Sequence, residues 1–237
     1  SALRPNIVFM MIDDLGAEAV GNYGGASYQT PHMDKLATQG MKFENAFAMP
    51  MCMIARATLM SGRYGFRSGL PSNIDPVART GDGWGKDEIT VANLLQNAGY
   101  TTAISGKWHL CQFDRHPDHL TKKGFEYQNA WAWIIGEERT RRYWESTYYR
   151  EKELITDGPG VYYPMVGVHS PWPQTPDNID VPQRGWSPED NLRIPETQKW
   201  SQPNFKAMIE YSDKLVGRVA AKIEGLGIAE NTLLIVT

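Results

Sequence analysis

Cysteine is scarce in this sequence of 237 residues: Cys52 and Cys111 are the only two. They could form one bridge, but they do not make a disulfide framework. No apolar run approaches the ~20 residues that a helix needs to span a bilayer, so no membrane span is predicted. An excess of one charge is lacking too. The net charge is −3, which offers no basic surface to a nucleic-acid partner. No signal-peptide pattern stands at Ser1, as expected if a leader is removed before this chain begins. What remains is ordinary for a globular protein, with 41% hydrophobic and 22% charged residues. The length suits one large domain or two small ones. Aromatic residues are plentiful, with 8 tryptophans and 11 tyrosines. Those in 131–149 suit either a substrate cleft or simple packing.

The stretch 49–64, MPMCMIARATLMSGRY, carries the most chemistry. A helix starting just after Cys52 would place the thiol at its N-terminus, where free N–H groups favour negative charge. Arg56 would lie one turn on, beside it. A thiol in that setting is reactive; a small buried core cysteine is the plainer alternative.

Residues 6–12, NIVFMMI, read as a strand buried on both faces, and the strand runs into Asp13 and Asp14. Two adjacent carboxylates at the C-terminal end of a buried strand suit a hard cation such as Ca²⁺ or Mg²⁺; a solvated loop would also carry them. Thr30 and Pro31 open a helix that Gly40 stops. A second helix is expected over 89–97, closed by Gly99. A strand over 100–105 then leads into Gly106-Lys107-Trp108-His109. Lys107 and His109 face one pocket if the backbone stays extended. There, a lysine neutralises an anionic oxygen and a histidine moves a proton near neutral pH. Ordinary surface charges are the alternative.

His116 and His119 form an HxxH pair in a proline-containing loop that suits a metal but reads more readily as surface histidines. Residues 124–157 read as irregular. Their Arg139, Arg141 and Arg142 suit either a polyanionic substrate or a solvated face. Another strand over 161–168 ends at His169. Residues 173–202 read as a proline-rich connector. A long helix over 203–225 carries an apolar stripe from Phe205 to Ile223, and 231–237 form the last strand.

Four of these segments together resemble the sulfatase family. CMIAR-ATLMSGRY is similar to its first signature, in which a cysteine is followed by x-Pro/Ala-x-Arg and a helix ending in Ser/Thr-Gly-Arg. Ile54 departs from the usual Pro or Ala. GYTTAISGKWHL is similar to the second signature, with Cys111 where glycine is usual. The Asp13-Asp14 strand and the His169 segment match two others, and TPHMDKLATQG also resembles the family.

The resemblance implies formylglycine, derived from Cys52 by a formylglycine-generating enzyme, as the nucleophile. It implies a cation, Ca²⁺ or Mg²⁺, held by Asp13, Asp14 and residue 52. Arg56 and Lys107 would offset charge, His169 would serve the departing alcohol, and His109 would serve the second hydroxyl at residue 52. The expected fold is α/β and alkaline phosphatase/sulfatase-like, with a mainly parallel central sheet and helices on both faces.

The expected function is hydrolysis of a sulfate monoester, on a sulfated small molecule or carbohydrate. A phosphatase or phosphonate monoester hydrolase of the same superfamily is one alternative. A non-catalytic sulfated-glycan binder with Cys52 unmodified is another. The resemblance further implies a periplasmic or secreted location. It implies that 1–237 is the N-terminal catalytic domain, ending before the second metal-binding motif and a C-terminal subdomain, with a stretch absent near Gly160. A protein ending at Thr237 would then bind metal weakly.

Overall fold

The computed structural model describes residues 4–72, 84–85, 87–156, 167–169, 172, 175–177 and 202–237. Most of the strand expected over 161–168 and of the connector over 173–202 lies outside them. The chain divides into two units, one of Ser1–Asn45 with Val166–Thr237, the other of Ala46–Met165.

In the first unit, β1 (Asn6–Met10) pairs in parallel with β8 (Thr232–Val236), Asn6 opposite Thr232 and Met10 opposite Val236. The ladder continues past both strands, with Ile12 N–H donating to the Thr237 carbonyl at 2.7 Å and Thr237 N–H to that of Met10 at 2.9 Å. β1 is not buried on both faces as its apolar run suggests. Ile7 and Phe9 are partly exposed, and β8 is the one strand paired with β1 among the described residues.

Against this pair stand α1 (Pro31–Gln39) and α5 (Gln202–Gly225). The stripe on α5 buries Met208, Ile209, Val216 and Ile223. Val216 joins Met33 and Val20 in a core that Met10, Ile12, Leu36 and Val236 flank. Thr30 occupies the N-cap position of α1 but makes no capping bond with its side chain. Its hydroxyl instead accepts the Gly21 N–H at 2.8 Å. The free N–H groups of α1 are met from α5: Asp213 accepts those of His32 at 3.1 Å and Met33 at 2.8 Å. Asp213 is buried, and burial raises its carboxyl above the usual range.

The second unit holds α2 (Cys52–Ser61), α3 (Val91–Asn97), β2 (Ala103–Lys107), α4 (His119–Lys122), β3 (Tyr127–Trp131), β4 (Ile134–Ile135), β5 (Glu138–Arg139), β6 (Thr147–Arg150) and β7 (Glu153–Thr156). Its main sheet runs β2-β3-β6-β7. β2 and β3 are parallel, whereas β3, β6 and β7 are antiparallel. The fold is therefore α/β as expected, but the sheets are only partly parallel. The reason is a short connection: β6 and β7 are joined through Glu151 and Lys152, both at positive φ. A two-residue turn of this kind forces antiparallel pairing.

Residues 124–157, read as irregular, thus supply most of this sheet. Their aromatics largely pack: Phe113 stacks on Tyr149 at 4.8 Å, within a core that includes Met53, Ala57, Trp108, Leu110 and Cys111. β2 begins at Ala103 rather than Tyr100 and carries Gly106 and Lys107 inside the strand. α3 starts at Val91, after a Thr90–Asn93 capping box. No helix among the described residues is long and apolar enough to cross a membrane.

Candidate active site

In the second unit, α2 begins at Cys52 itself, with Met51 extended at the N-cap. The helix ends in Gly62, whose φ of 65° suits glycine and whose N–H returns to the Thr58 carbonyl at 2.8 Å. The Ser-Gly-Arg end of the motif is thus a helix stop. At the other end Cys52 is half-buried, and its Sγ lies 3.4 Å from Nδ1 of His109. Arg56, one turn along, is buried, and its Nη1 donates to the main-chain carbonyl of Lys107. The Lys107 side chain is buried as well.

His109 does not reach this place by an extended backbone. β2 ends at Lys107, Trp108 turns into the core, and His109 sits at φ 65°. Histidine tolerates this left-handed region better than most residues, but at some cost. The ring of Trp133 stands perpendicular to that of His109 with centroids 4.4 Å apart. Sequence reading did not single out Trp133, because 24 residues separate it from His109 and no motif includes it. The strand register is one pointer: Lys107 pairs with Trp131 at the end of β2 and β3, and His109 and Trp133 each follow two residues on.

In the first unit, Asp13 is buried and Asp14 is exposed with φ 60°. The turn carrying His169 lies against them. Val168 N–H donates to the Asp13 carbonyl at 3.1 Å. Gly167, at φ 67°, comes so close that a Cβ there would sit 2.7 Å from the Asp13 nitrogen. His169 Nε2 is 3.7 Å from an Asp14 carboxylate oxygen, an ion pair when the imidazole is protonated. Trp172 fastens the turn, with its Nε1 donating to the Val168 carbonyl at 2.9 Å, and Asn204 Nδ2 donates to the Trp172 carbonyl at 2.9 Å.

The donor chemistry of Asp13 and Asp14, two hard carboxylates on adjacent residues, fits a divalent cation of the Ca²⁺ or Mg²⁺ kind. No group of three or more His, Cys, Asp or Glu arranged to hold a metal occurs among the described residues. Two carboxylates also fall short of the roughly six to eight oxygens that Ca²⁺ takes, leaving places for other oxygens.

Other sequence candidates fall away from these groups. Cys111 is a fully buried core thiol, pushed well above its usual pKa range by burial. Neither cysteine is in a disulfide. His119 is not a surface residue: it is buried beside Trp108, and burial pushes its imidazole down to about 3. Arg141 pairs with Glu145, and Arg142 lies over Trp131 at 5.2 Å. Arg139 borders an open depression of about 560 Å³ with Glu138 and Arg141.

A family profile described as Sulfatase matches residues 5–167, more than half of the chain. The steryl-sulfatase of Homo sapiens is 41% identical over 139 residues, covering 54% of this chain and 23% of that protein. The N-acetylglucosamine-6-O-sulfatase of Bacteroides thetaiotaomicron is 34% identical over 155 residues, covering 65% of this chain and 25% of that protein. The chain thus spans about a quarter of the length of these curated relatives. The structure of BT4656, in complex with its substrate D-glucosamine-2-N,6-O-disulfate, shares the fold with a TM-score of 0.70 at 20% identity. That likeness covers 99% of this chain and 65% of that one. It makes the fold alkaline phosphatase/sulfatase-like.

Proposed function

The chain belongs to the sulfatase family, and we propose that it carries catalytic groups of a sulfuric ester hydrolase acting on an aryl or carbohydrate sulfate. One observation carries this reading. Cys52 opens a helix with Arg56 one turn on, and its Sγ meets Nδ1 of His109 at 3.4 Å. On this reading Sγ stands in for the oxygens of a formylglycine at 52. Once formed and bound, formylglycine would supply a nucleophilic oxygen and the cation a polarising charge on the sulfate.

The remaining roles belong to this chain's own residues. Asp13 and Asp14 would hold the cation. Arg56 fixes the Lys107 backbone and, with the Lys107 ammonium, offsets negative charge on the substrate oxygens. His109 takes and returns a proton at the side chain of residue 52. His169, held beside Asp14, protonates the departing alcohol. The names of the relatives, a steryl-sulfatase and an N-acetylglucosamine-6-O-sulfatase, support a sulfate monoester without choosing its alcohol. Maturation by a formylglycine-generating enzyme and an extracytoplasmic location complete the proposal.

The test is mass spectrometry of the tryptic peptide Phe43–Arg56 from the full-length protein of its native host, followed by aryl sulfate and aryl phosphonate assays with Ca²⁺. An aldehyde at 52 with faster sulfate turnover is the expected result. A free thiol with no turnover would overturn it in favour of a sulfated-glycan binder. Faster phosphonate turnover would move the reading to a phosphorus ester hydrolase.

A further inference from the structure

We propose that Trp133 is a positioning residue for His109, holding its imidazole with Nδ1 turned toward residue 52. The inference rests on the reading of residue 52 and His109 given above. It starts from strand register. β2 and β3 run parallel, and their last pair is Lys107 with Trp131. Two residues further on, each chain has left the sheet, and His109 and Trp133 meet ring to ring at 4.4 Å and 78°.

The His109 backbone has turned into the left-handed region just past the end of β2. One end of its ring meets Cys52 Sγ, and the indole of Trp133 walls its face or edge. Trp133 is itself well fixed. Its carbonyl accepts the Thr140 N–H at 3.0 Å, and the Thr140 hydroxyl donates to the Ala132 carbonyl at 2.6 Å. Trp131 Nε1 donates to that same hydroxyl at 3.0 Å and to the Arg141 carbonyl at 2.9 Å. Trp133, by contrast, uses its indole N–H for no hydrogen bond among the described residues, although the group is buried. Leaving a buried donor unpaired is costly. A phenylalanine would avoid that cost, so the indole's contribution here is its ring surface, and that surface lies on His109.

The experiment uses the full-length protein with Cys52 unmodified, and alkylation by iodoacetamide at fixed pH is followed at Cys52 by mass spectrometry of the tryptic peptide Phe43–Arg56. His109→Ala is expected to change the alkylation rate at least threefold. Trp133→Ala should change it by the same factor, the double variant should add nothing, and Trp133→Phe should return the rate to within twofold of the parent. NMR supplies a measurement without any substitution: a nuclear Overhauser contact between the His109 ring and the Trp133 indole. In the converted enzyme, Trp133→Ala should lower kcat at least tenfold with KM unchanged.

A Trp133→Ala effect that persists in the His109→Ala background would overturn the proposal. So would a parental rate in either single variant, or absence of the ring contact. If Trp133→Ala does not fold, the ring contact and the Trp133→Phe rate decide. Alkylation and NMR need no sulfate turnover, so failure of the hydrolase reading would show separately, as an inactive parent enzyme with the His109–Trp133 coupling intact.

Discussion

Arg56 donates through Nη1 to the main-chain carbonyl of Lys107, across 51 residues of sequence. One buried cation thereby ties the helix that begins at Cys52 to the strand end that presents Lys107 and His109. The residue that sequence pattern marks as a neighbour of Cys52 is thus also the clasp between two segments of the chain. A guanidinium suits this because it stays charged when buried and projects several donors in a fixed plane.

Removing that clasp exposes both roles. Arg56→Met removes this hydrogen bond from a charged donor, and such bonds contribute about 1.5–3 kcal/mol. Urea unfolding should show a loss of that size. Arg56→Lys should recover only part of it, since an ammonium is shorter and lacks the fork. In converted full-length enzyme, either change should reduce aryl sulfate turnover by ~10²-fold or more, the scale for losing a positive group that meets developing charge. Parental stability in Arg56→Met would remove the clasp from the account.

Asp213 offers a test in the first unit. Its two carboxylate oxygens accept the His32 and Met33 N–H groups and so cap α1 from another helix. Asp213→Ala should destabilise by about 1–3 kcal/mol, since hydrogen bonds to a charged group exceed an ordinary cap. Asp213→Asn keeps one acceptor oxygen and should lose less. The sign with pH is unusual for a carboxylate. Burial raises its folded pKa, so ionisation costs more in the folded state, and this site's contribution improves as pH falls from above the folded pKa to below the unfolded value of about 3.9. A stability-versus-pH curve for parent and Asp213→Asn, compared over pH 3 to 6, checks the direction. An equal slope in both would refute it.

How much of this was legible beforehand depended on whether a feature is local. Helix starts and stops are local, so Pro31, Gly62 and the apolar stripe of α5 placed their helices within a residue or two. The places of the candidate segments were legible because each occupies one strand or helix end: Asp13 and Asp14 after β1, Cys52 at α2. Partners across the chain were not. Nothing in the sequence near Thr30 says that Asp213 caps α1, or near His109 that Trp133 stands against it. The hairpin at Glu151 and Lys152 was missed because it lacks the glycine or asparagine that usually marks such a turn. His119 was misplaced because a polar residue in a proline-containing loop reads as exposed, whereas α4 turns it into the core beside Leu120.

The cation assignment gives a binding prediction that needs no substrate. If Asp13 and Asp14 hold Ca²⁺ in the full-length protein, adding the ion should raise the thermal midpoint, by about 2.7 kcal/mol of stability at a hundredfold excess over Kd. Asp13→Asn and Asp14→Asn should each abolish most of that gain, and a chelator should reverse it in the parent alone. A Ca²⁺ effect that survives both substitutions would place the ion elsewhere.

His119 gives the sharpest pH prediction. It is buried beside Trp108, its Nε2 has no hydrogen-bond partner among the described residues, and Lys123, His116 and Lys122 stand nearby. Burial is the main reason its imidazole falls to about 3 from an ordinary 6.5, with those positive neighbours adding to it. The neutral ring is therefore the folded form throughout the neutral range, while the unfolded chain binds a proton below about pH 6.5. Its contribution to stability is complete above that pH and is lost as pH falls toward the folded value. Between the two pKa values the slope from one proton is about 1.4 kcal/mol per pH unit, so lowering the pH from 7 to 5 costs about 2 kcal/mol through this residue alone. His119→Phe and His119→Gln remove the titrating group. Either variant is expected to be less stable than the parent at pH 7 yet to close most of that gap by pH 5, as measured by urea unfolding at both values. Parallel stability curves for parent and variants would show that His119 titrates alike in the folded and the unfolded chain, and would return it to the surface where its sequence neighbourhood first suggested it lay.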